Sequence, residues 1–294
     1  MFENLKANMM FEILMKRHDI NKAYKMVGPE DGWYDTITTV HRSLAEIKKL
    51  PHEDWEITSH DGLSLKAVFY PGSSHKTMIW IHGFTSHAER ESAFPGLFYH
   101  SLGFNVLVPY LRAHGPSQGK YICFGPLTNL DMIGWIDKVN QRYSQGQILL
   151  HGLSMGGGIA LDLATMDLKN VKCILADAPS HSIPQFLKEV TYGTFKKDQE
   201  KILSCVHQRF QKIFSADASA YDRVENMCQG KYPLLLTAGS MEEKEEVFAR
   251  LKERNPKPTS VLILPGCNHG NGMYKQTEMY QSAIKDFIQS YMDI

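Results

Sequence analysis

The chain has 294 residues, 32 basic and 32 acidic side chains and a formal net charge of zero. This balance excludes the broad positive field that a nucleic-acid or anionic-membrane binder uses to gather phosphates. With 43% hydrophobic and 22% charged residues, a sizeable core can form without metals or disulfides, and the length suits one large α/β unit with an insertion. The five cysteines, Cys123, Cys173, Cys205, Cys228 and Cys267, are odd in number and lack C-x-x-C spacing. They read as reduced thiols of a cytoplasmic protein, and no metal or organic cofactor is implied.

Residues 1–52 are expected to form a helical N-terminal extension. Met9, Met10, Phe11, Ile13, Leu14 and Met15 make an apolar patch that Glu12 interrupts and Lys16 and Arg17 close. It is shorter than the roughly 20 residues a spanning helix needs, and it lacks the pattern of a secretory signal. An amphipathic helix packed on the rest of the chain is the expectation, with a membrane-surface or homodimer contact through these helices as the alternative. Leu44, Ile47 and Leu50 continue at helical spacing until Pro51.

From residue 53 to 294 the pattern becomes that of a sheet. Runs 55–58 and 63–69 flank Ser59-His60-Asp61-Gly62 and predict an antiparallel hairpin. Short apolar runs at 77–81, 105–108, 147–150, 171–176, 232–237 and 260–264 then alternate with helical segments. That rhythm predicts βαβ units, a mostly parallel sheet with helices on both faces, and a site at the carboxyl ends of the strands. It breaks at 180–230, which predicts a helical cap inserted late in the sheet. Ile202, Leu203, Val206, Phe210, Ile213 and Phe214 fall on one face there, as core or as a wall of the substrate pocket.

The most specific local signal is Gly152-Leu153-Ser154-Met155-Gly156, between the apolar run 147–150 and a helix expected over 159–166. A G-x-S-x-G between strand and helix presents a serine on a sharp turn. The three glycines after Met155 would also suit a phosphate-binding loop, and Asp177 at the end of the next strand a dinucleotide fingerprint. The order G-x-S-x-G-G-G does not match G-x-G-x-x-G.

A serine hydroxyl needs a base to take its proton, and in the chain order serine, acid, histidine the base belongs on a loop after a late strand. His269, after the strand at 260–264, has that place. Backbone N–H donors for an oxyanion are expected from Met155 and from Phe84, with Thr85 as fallback, while His82 reads as a structural residue of the turn. The acid is less sharply marked. Glu242 stands three residues after Gly239, where an aspartate is usual, with Asp177 and Glu243 as alternatives. Ser240 and Glu243 match a capping box that would occupy Glu243 and leave Glu242 for His269.

These residues add up to a resemblance. The chain resembles the α/β-hydrolase superfamily over residues 55–292, and within it bacterial hydrolases of the YqkD type, distantly related to prolyl oligopeptidase-like and acyl-transfer enzymes. The matching residues are Ser59-His60-Asp61-Gly62-Leu63, His82-Gly83-Phe84, Leu111-Arg112-Ala113-His114-Gly115-Pro116-Ser117, His151-Gly152-Leu153-Ser154-Met155-Gly156 and Asn268-His269. Tyr110 and Ala113 depart from the family's aspartate and glycine in D-x-R-G-H-G-x-S, and Glu242 from its aspartate.

The resemblance implies the α/β-hydrolase fold and a carboxylesterase-like serine hydrolase acting on a small acyl substrate, with a peptidase or thioesterase as lesser forms. Phe186, Tyr192, Phe195, Phe210 and Phe214 of the cap are expected to line an apolar pocket. The rival of another class is a non-catalytic protein of the same fold that binds a small ligand or partner.

Overall fold

The computed structural model describes residues 2–18 and 33–293. Its strands are β1 (Glu53–Thr58), β2 (Ser64–Tyr70), β3 (Lys76–Ile81), β4 (Asn105–Pro109), β5 (Gln147–Leu153), β6 (Val171–Asp177), β7 (Leu234–Gly239) and β8 (Thr259–Leu264). They form one sheet in the order β1-β2-β4-β3-β5-β6-β7-β8. The hairpin β1-β2 is antiparallel, as is β2 to β4, and every pair from β4 through β8 is parallel.

The central strands are apolar on both sides because both faces are covered. Along β3, Ile79 and Ile81 enter one core while Met78 and Trp80 enter the other, and Ile174 and Leu175 divide in the same way on β6. Each such side chain contributes roughly 1.5–3 kcal/mol when removed from water. One face is covered by α4 (Pro126–Arg142) and α5 (Met155–Leu163), the other by α3 (Ala88–Ser101) and α9 (Thr277–Tyr291). Between β7 and β8 lies α8 (Glu245–Arg254), which buries Phe248 and Leu251.

Before the sheet come α1 (Phe2–Met15) and α2 (Ile37–Ile47); the expectation of helix over 19–32 lies outside the described residues. Between β6 and β7 stand α6 (Ile183–Thr194) and α7 (Gln199–Phe214). The α7 stripe of Ile202, Val206, Phe210 and Phe214 is buried, with Phe214 packed against Phe11 of α1 at 6.2 Å between ring centroids. This segment is tied down where Arg223, fully buried, meets Asp162 of α5 through two hydrogen bonds of 2.9 Å and donates to the Phe124 carbonyl.

The loop after β4 depends on a second buried cation. Arg112 pairs with Asp131 of α4 at 2.7 Å and with Asp61 of the hairpin turn at 3.0 Å, and this pairing holds the Asp61 carboxyl down to about 2. The departures from the family pattern sit here. Tyr110 is half-turned toward α3, where its hydroxyl donates to Glu89. Ala113 has a φ of 63° and is buried, so a residue with a Cβ occupies a left-handed position.

That strain is open to measurement. A left-handed alanine costs about 1–2 kcal/mol, and glycine returns about 0.4–1 kcal/mol of that through the unfolded chain. Ala113→Gly is therefore expected to raise stability by roughly 0.5–1 kcal/mol in urea unfolding; a loss of stability would show that the left-handed strain is not stored there.

Candidate functional site

The site is built where β5 turns into α5. Ser154 has φ 59° and ψ −111°, a conformation that costs about 1–3 kcal/mol unless its surroundings enforce it. They do so by hydrogen bonds: the Ser154 N–H donates to the Asp177 carbonyl at 2.8 Å, and its own carbonyl accepts from Gly158 and Ser180 at 3.0 Å each. Two glycines permit the approach, since a Cβ on Gly152 would overlap the Gly156 carbonyl and one on Gly156 would overlap the Ile81 carbonyl. The sequence places the helix start at residue 159, but α5 begins at Met155. Close packing against β3 overrides the low helix propensity of the three glycines.

Two loops on neighbouring strands bring up the other side chains. His269 follows β8, and its Nε2 lies 2.8 Å from Ser154 Oγ. Its Nδ1 lies 2.6 Å from Glu242 Oε2, so the network assigns Nδ1–H as the donor to the carboxylate and leaves Nε2 to accept the serine O–H. Glu242 follows β7 and is nearly buried, with 7% of its side chain exposed against 54% for His269. Its other oxygen accepts the Gly239 N–H at 3.0 Å, which fixes the carboxylate plane. The loops are joined by Met241 N–H to the Cys267 carbonyl at 3.1 Å and Gly266 N–H to Ser240 Oγ at 3.0 Å.

The expected capping box is not formed. Ser240 Oγ faces Gly266, Glu243 is exposed with φ 51°, and α8 starts only at Glu245. A tight turn over Ser240–Glu242 ends in that left-handed residue and delays the helix. Asp177, the other carboxylate considered, is buried and accepts from the Tyr280 hydroxyl at 2.8 Å. Burial first, and the charge of Glu242 second, push its carboxyl up to about 6.

The N–H groups of Met155, the first residue of α5, and of Phe84 have no backbone partner among the described residues. Thr85 follows with φ 51°. The loop that carries Phe84 is held on both sides of one residue, Gly83. His82 is buried and neutral: its Nε2 accepts the Leu111 N–H at 3.1 Å, so Nδ1–H donates to the Gly83 carbonyl at 2.8 Å. From α3, Glu91 accepts the Gly83 N–H at 3.0 and 3.2 Å and the Trp80 indole N–H at 2.9 Å. Sequence reasoning missed Glu91. It stands in a polar helical stretch, and only the packing of α3 on β3 turns it inward.

A cavity of about 280 Å³ opens beside Ser154, lined among others by Ile37 and Val40 of α2, Phe84, Arg90, Gly270 and Tyr274. The expected aromatic pocket of the cap is not its wall. Phe210 and Phe214 are in the core, Phe186 packs on Phe124 at 4.8 Å between ring centroids, Tyr192 donates to Glu200, and Phe195 lines a separate groove against α1. The cap turns its aromatic stripe toward α1, and α2 takes the place beside the serine. No group of His, Cys, Asp and Glu among the described residues could hold a metal, and no described helix is long and apolar enough to cross a membrane.

Burial raises the Glu91 carboxyl from 4.5 to about 7, against the opposing effect of its hydrogen bonds. A carboxyl raised in the folded state contributes stability that is complete below pH about 4.5 and is lost as pH rises through about 7. Glu91→Gln can keep the accepting oxygen and does not titrate. Its stability relative to the parent protein is expected to improve from pH 5 to about 7 and to level off above that in thermal melts; a pH-independent difference would mean that Glu91 does not titrate in that window.

A model of the alpha/beta hydrolase fold matches residues 76–243. The uncharacterized protein YqkD of Bacillus subtilis is 22% identical over 265 residues, covering 86% of this chain and 84% of that protein. A multifunctional-autoprocessing repeats-in-toxin of Vibrio vulnificus is 30% identical over 137 residues, 45% of this chain, which spans only 2% of the toxin's length. Among solved structures, the Pyrococcus furiosus esterase Pf2001 is 27% identical, with a TM-score of 0.64 over 85% of this chain and 94% of that one. By the family match over more than half its length, together with the eight-stranded sheet, the chain belongs to the α/β-hydrolase fold family.

Proposed function

We propose that the protein is a serine hydrolase that cleaves carboxylic esters through an acyl-enzyme on Ser154. The observation that carries this reading is the continuous chain from Ser154 Oγ to His269 Nε2 at 2.8 Å and from His269 Nδ1 to Glu242 at 2.6 Å. Serine, imidazole and carboxylate in hydrogen-bond sequence are the arrangement that makes a hydroxyl nucleophilic at neutral pH. Likeness to the Pyrococcus esterase favours an ester over an amide or thioester.

In this mechanism Ser154 Oγ bonds to the ester carbonyl carbon as its proton passes to His269 Nε2. The carbonyl oxygen becomes an oxyanion between the N–H groups of Met155 and Phe84, which carry no competing backbone bond among the described residues. Collapse breaks the bond to the alcohol, which leaves with the proton from His269. Water, deprotonated by His269, then attacks the acyl-serine and releases the carboxylic acid and Ser154. Glu242 holds the Nδ1–H tautomer throughout and stabilises the imidazolium.

Hydrolysis of p-nitrophenyl acetate is the direct test. Ser154→Ala is expected to lose at least about a thousandfold in kcat and all labelling by a fluorophosphonate, while Glu242→Gln keeps the fold and loses about a hundred- to ten-thousandfold in kcat. Turnover by the Ser154→Ala protein at the parental rate would overturn the assignment of the nucleophile. Full activity in Glu242→Gln would move the acid elsewhere, with Asp177 next to be replaced.

A further inference from the structure

Helix α1 is apolar on two sides. Ala7, Met10, Phe11 and Met15 are buried, which is enough to anchor the helix on α7. On the opposite side Phe2, Leu5, Met9 and Ile13 remain 77%, 57%, 58% and 71% exposed. Surface helices normally turn polar residues outward, and a contiguous exposed apolar stripe marks a place where something apolar is bound.

The stripe borders a groove of about 530 Å³ between α1 and α6, walled by Met9, Ile13, Leu14, Val190 and Phe195. Polar groups reach it only from Lys6, His18 and Thr194. Phe84 is shared: it closes the inner end of this groove and also lines the cavity beside Ser154. Its ring is held between His18 at 5.9 Å and Phe124 at 5.1 Å, and it is the residue that the linings of the groove and of the serine cavity have in common. The same residue supplies the backbone N–H to which the proposed mechanism directs the ester oxygen. An alkyl chain attached to a carbonyl at that N–H would start at Phe84, from which carbon surfaces continue between α1 and α6 beyond the cavity walled by Ile37 and Val40.

We propose that the groove between α1 and α6 is the subsite for the alkyl chain of medium- and long-chain acyl esters whose carbonyl reacts at Ser154. The inference rests on the serine-esterase reading and adds the substrate class to it. The walls offer an extended peptide or a sugar few hydrogen-bond partners, so burial there would leave polar groups unpaired. A methylene chain loses nothing by entering, and the volume is within the range of small-molecule sites. The outer stripe of α1 gives the far end of such a chain a surface to lie on.

The test compares p-nitrophenyl esters from acetate to dodecanoate, with isothermal calorimetry of sodium dodecanoate as a readout that needs no turnover. In the parent protein kcat/KM is expected to rise about two- to fourfold per added CH2 until the groove is filled. Val190→Trp narrows the groove from α6, and Thr194→Trp does so from an exposed position that spares the core. Each is expected to lower the ratio of dodecanoate-ester to acetate-ester kcat/KM at least tenfold and to abolish dodecanoate binding.

A flat chain-length profile without dodecanoate binding overturns the proposal. So does sedimentation showing a dimer that Thr194→Trp dissociates while dodecanoate does not bind, because the groove is then a contact between copies. Absence of turnover at every length, acetate included, fails the esterase reading instead. Dodecanoate binding that Thr194→Trp removes then still supports an alkyl site, and its absence overturns it.

Discussion

The structure depends most on one strained residue. Ser154 can hold φ 59° only because its N–H and carbonyl are captured by Asp177, Gly158 and Ser180, and because two glycines let α5 press against β3. Much of the surrounding architecture serves that capture. The parallel pairing of β5 with β6 sets the Asp177 carbonyl opposite the turn. The early start of α5 aims its first N–H groups at the space above the serine, where the positive end of the helix favours developing negative charge.

Beneath the turn the molecule buries polar groups in an ordered chain. Tyr280 donates to Asp177, so it must accept from His151 Nε2–H at 3.1 Å, which leaves His151 Nδ1 to accept from Tyr99 at 3.0 Å. Burial keeps His151 neutral, holding it down to about 3. Trp80 packs on the same imidazole at 4.4 Å and donates on its other side to Glu91. A satisfied network in a low-dielectric interior is rigid, because any displaced member would leave a buried group unpaired. Both sides of the serine, the loop of Phe84 and the strand end at Asp177, are therefore braced from below.

The N-terminal helices are part of the site's surroundings. Helix α2 contributes Ile37 and Val40 to the cavity beside Ser154, and α1 forms one wall of the apolar groove that ends at Phe84. Two aromatic residues of the late insertion help to seat α1, with Phe214 against Phe11 and Phe210 packed behind Phe214 at 4.8 Å. A helical stripe records that a face is covered and not by what, so pattern alone made core packing the default and kept a pocket wall as the alternative.

What the sequence determined by itself is the part governed by local rules. Alternating and continuous apolar runs gave the strands to within a few residues, since strand periodicity and burial leave a direct trace. The turn at Ser59-His60-Asp61-Gly62 was legible for the same reason, and G-x-S-x-G pointed to a serine on a sharp bend because only glycine fits so close to backbone. Other features were set by tertiary structure. Three glycines argue against helix, yet packing on β3 starts α5 at Met155. Ser240 and Glu243 match a cap, yet the turn joins the β8 loop instead and leaves Glu242 as the carboxylate beside His269. Glu91 carries no local signal at all. Residues 27 and 115 positions apart meet at His269, and hydrogen bonds over such distances depend on the sheet order. Short-range preferences are written in neighbouring side chains, whereas these contacts exist only once the strands are assembled and water has been excluded between them.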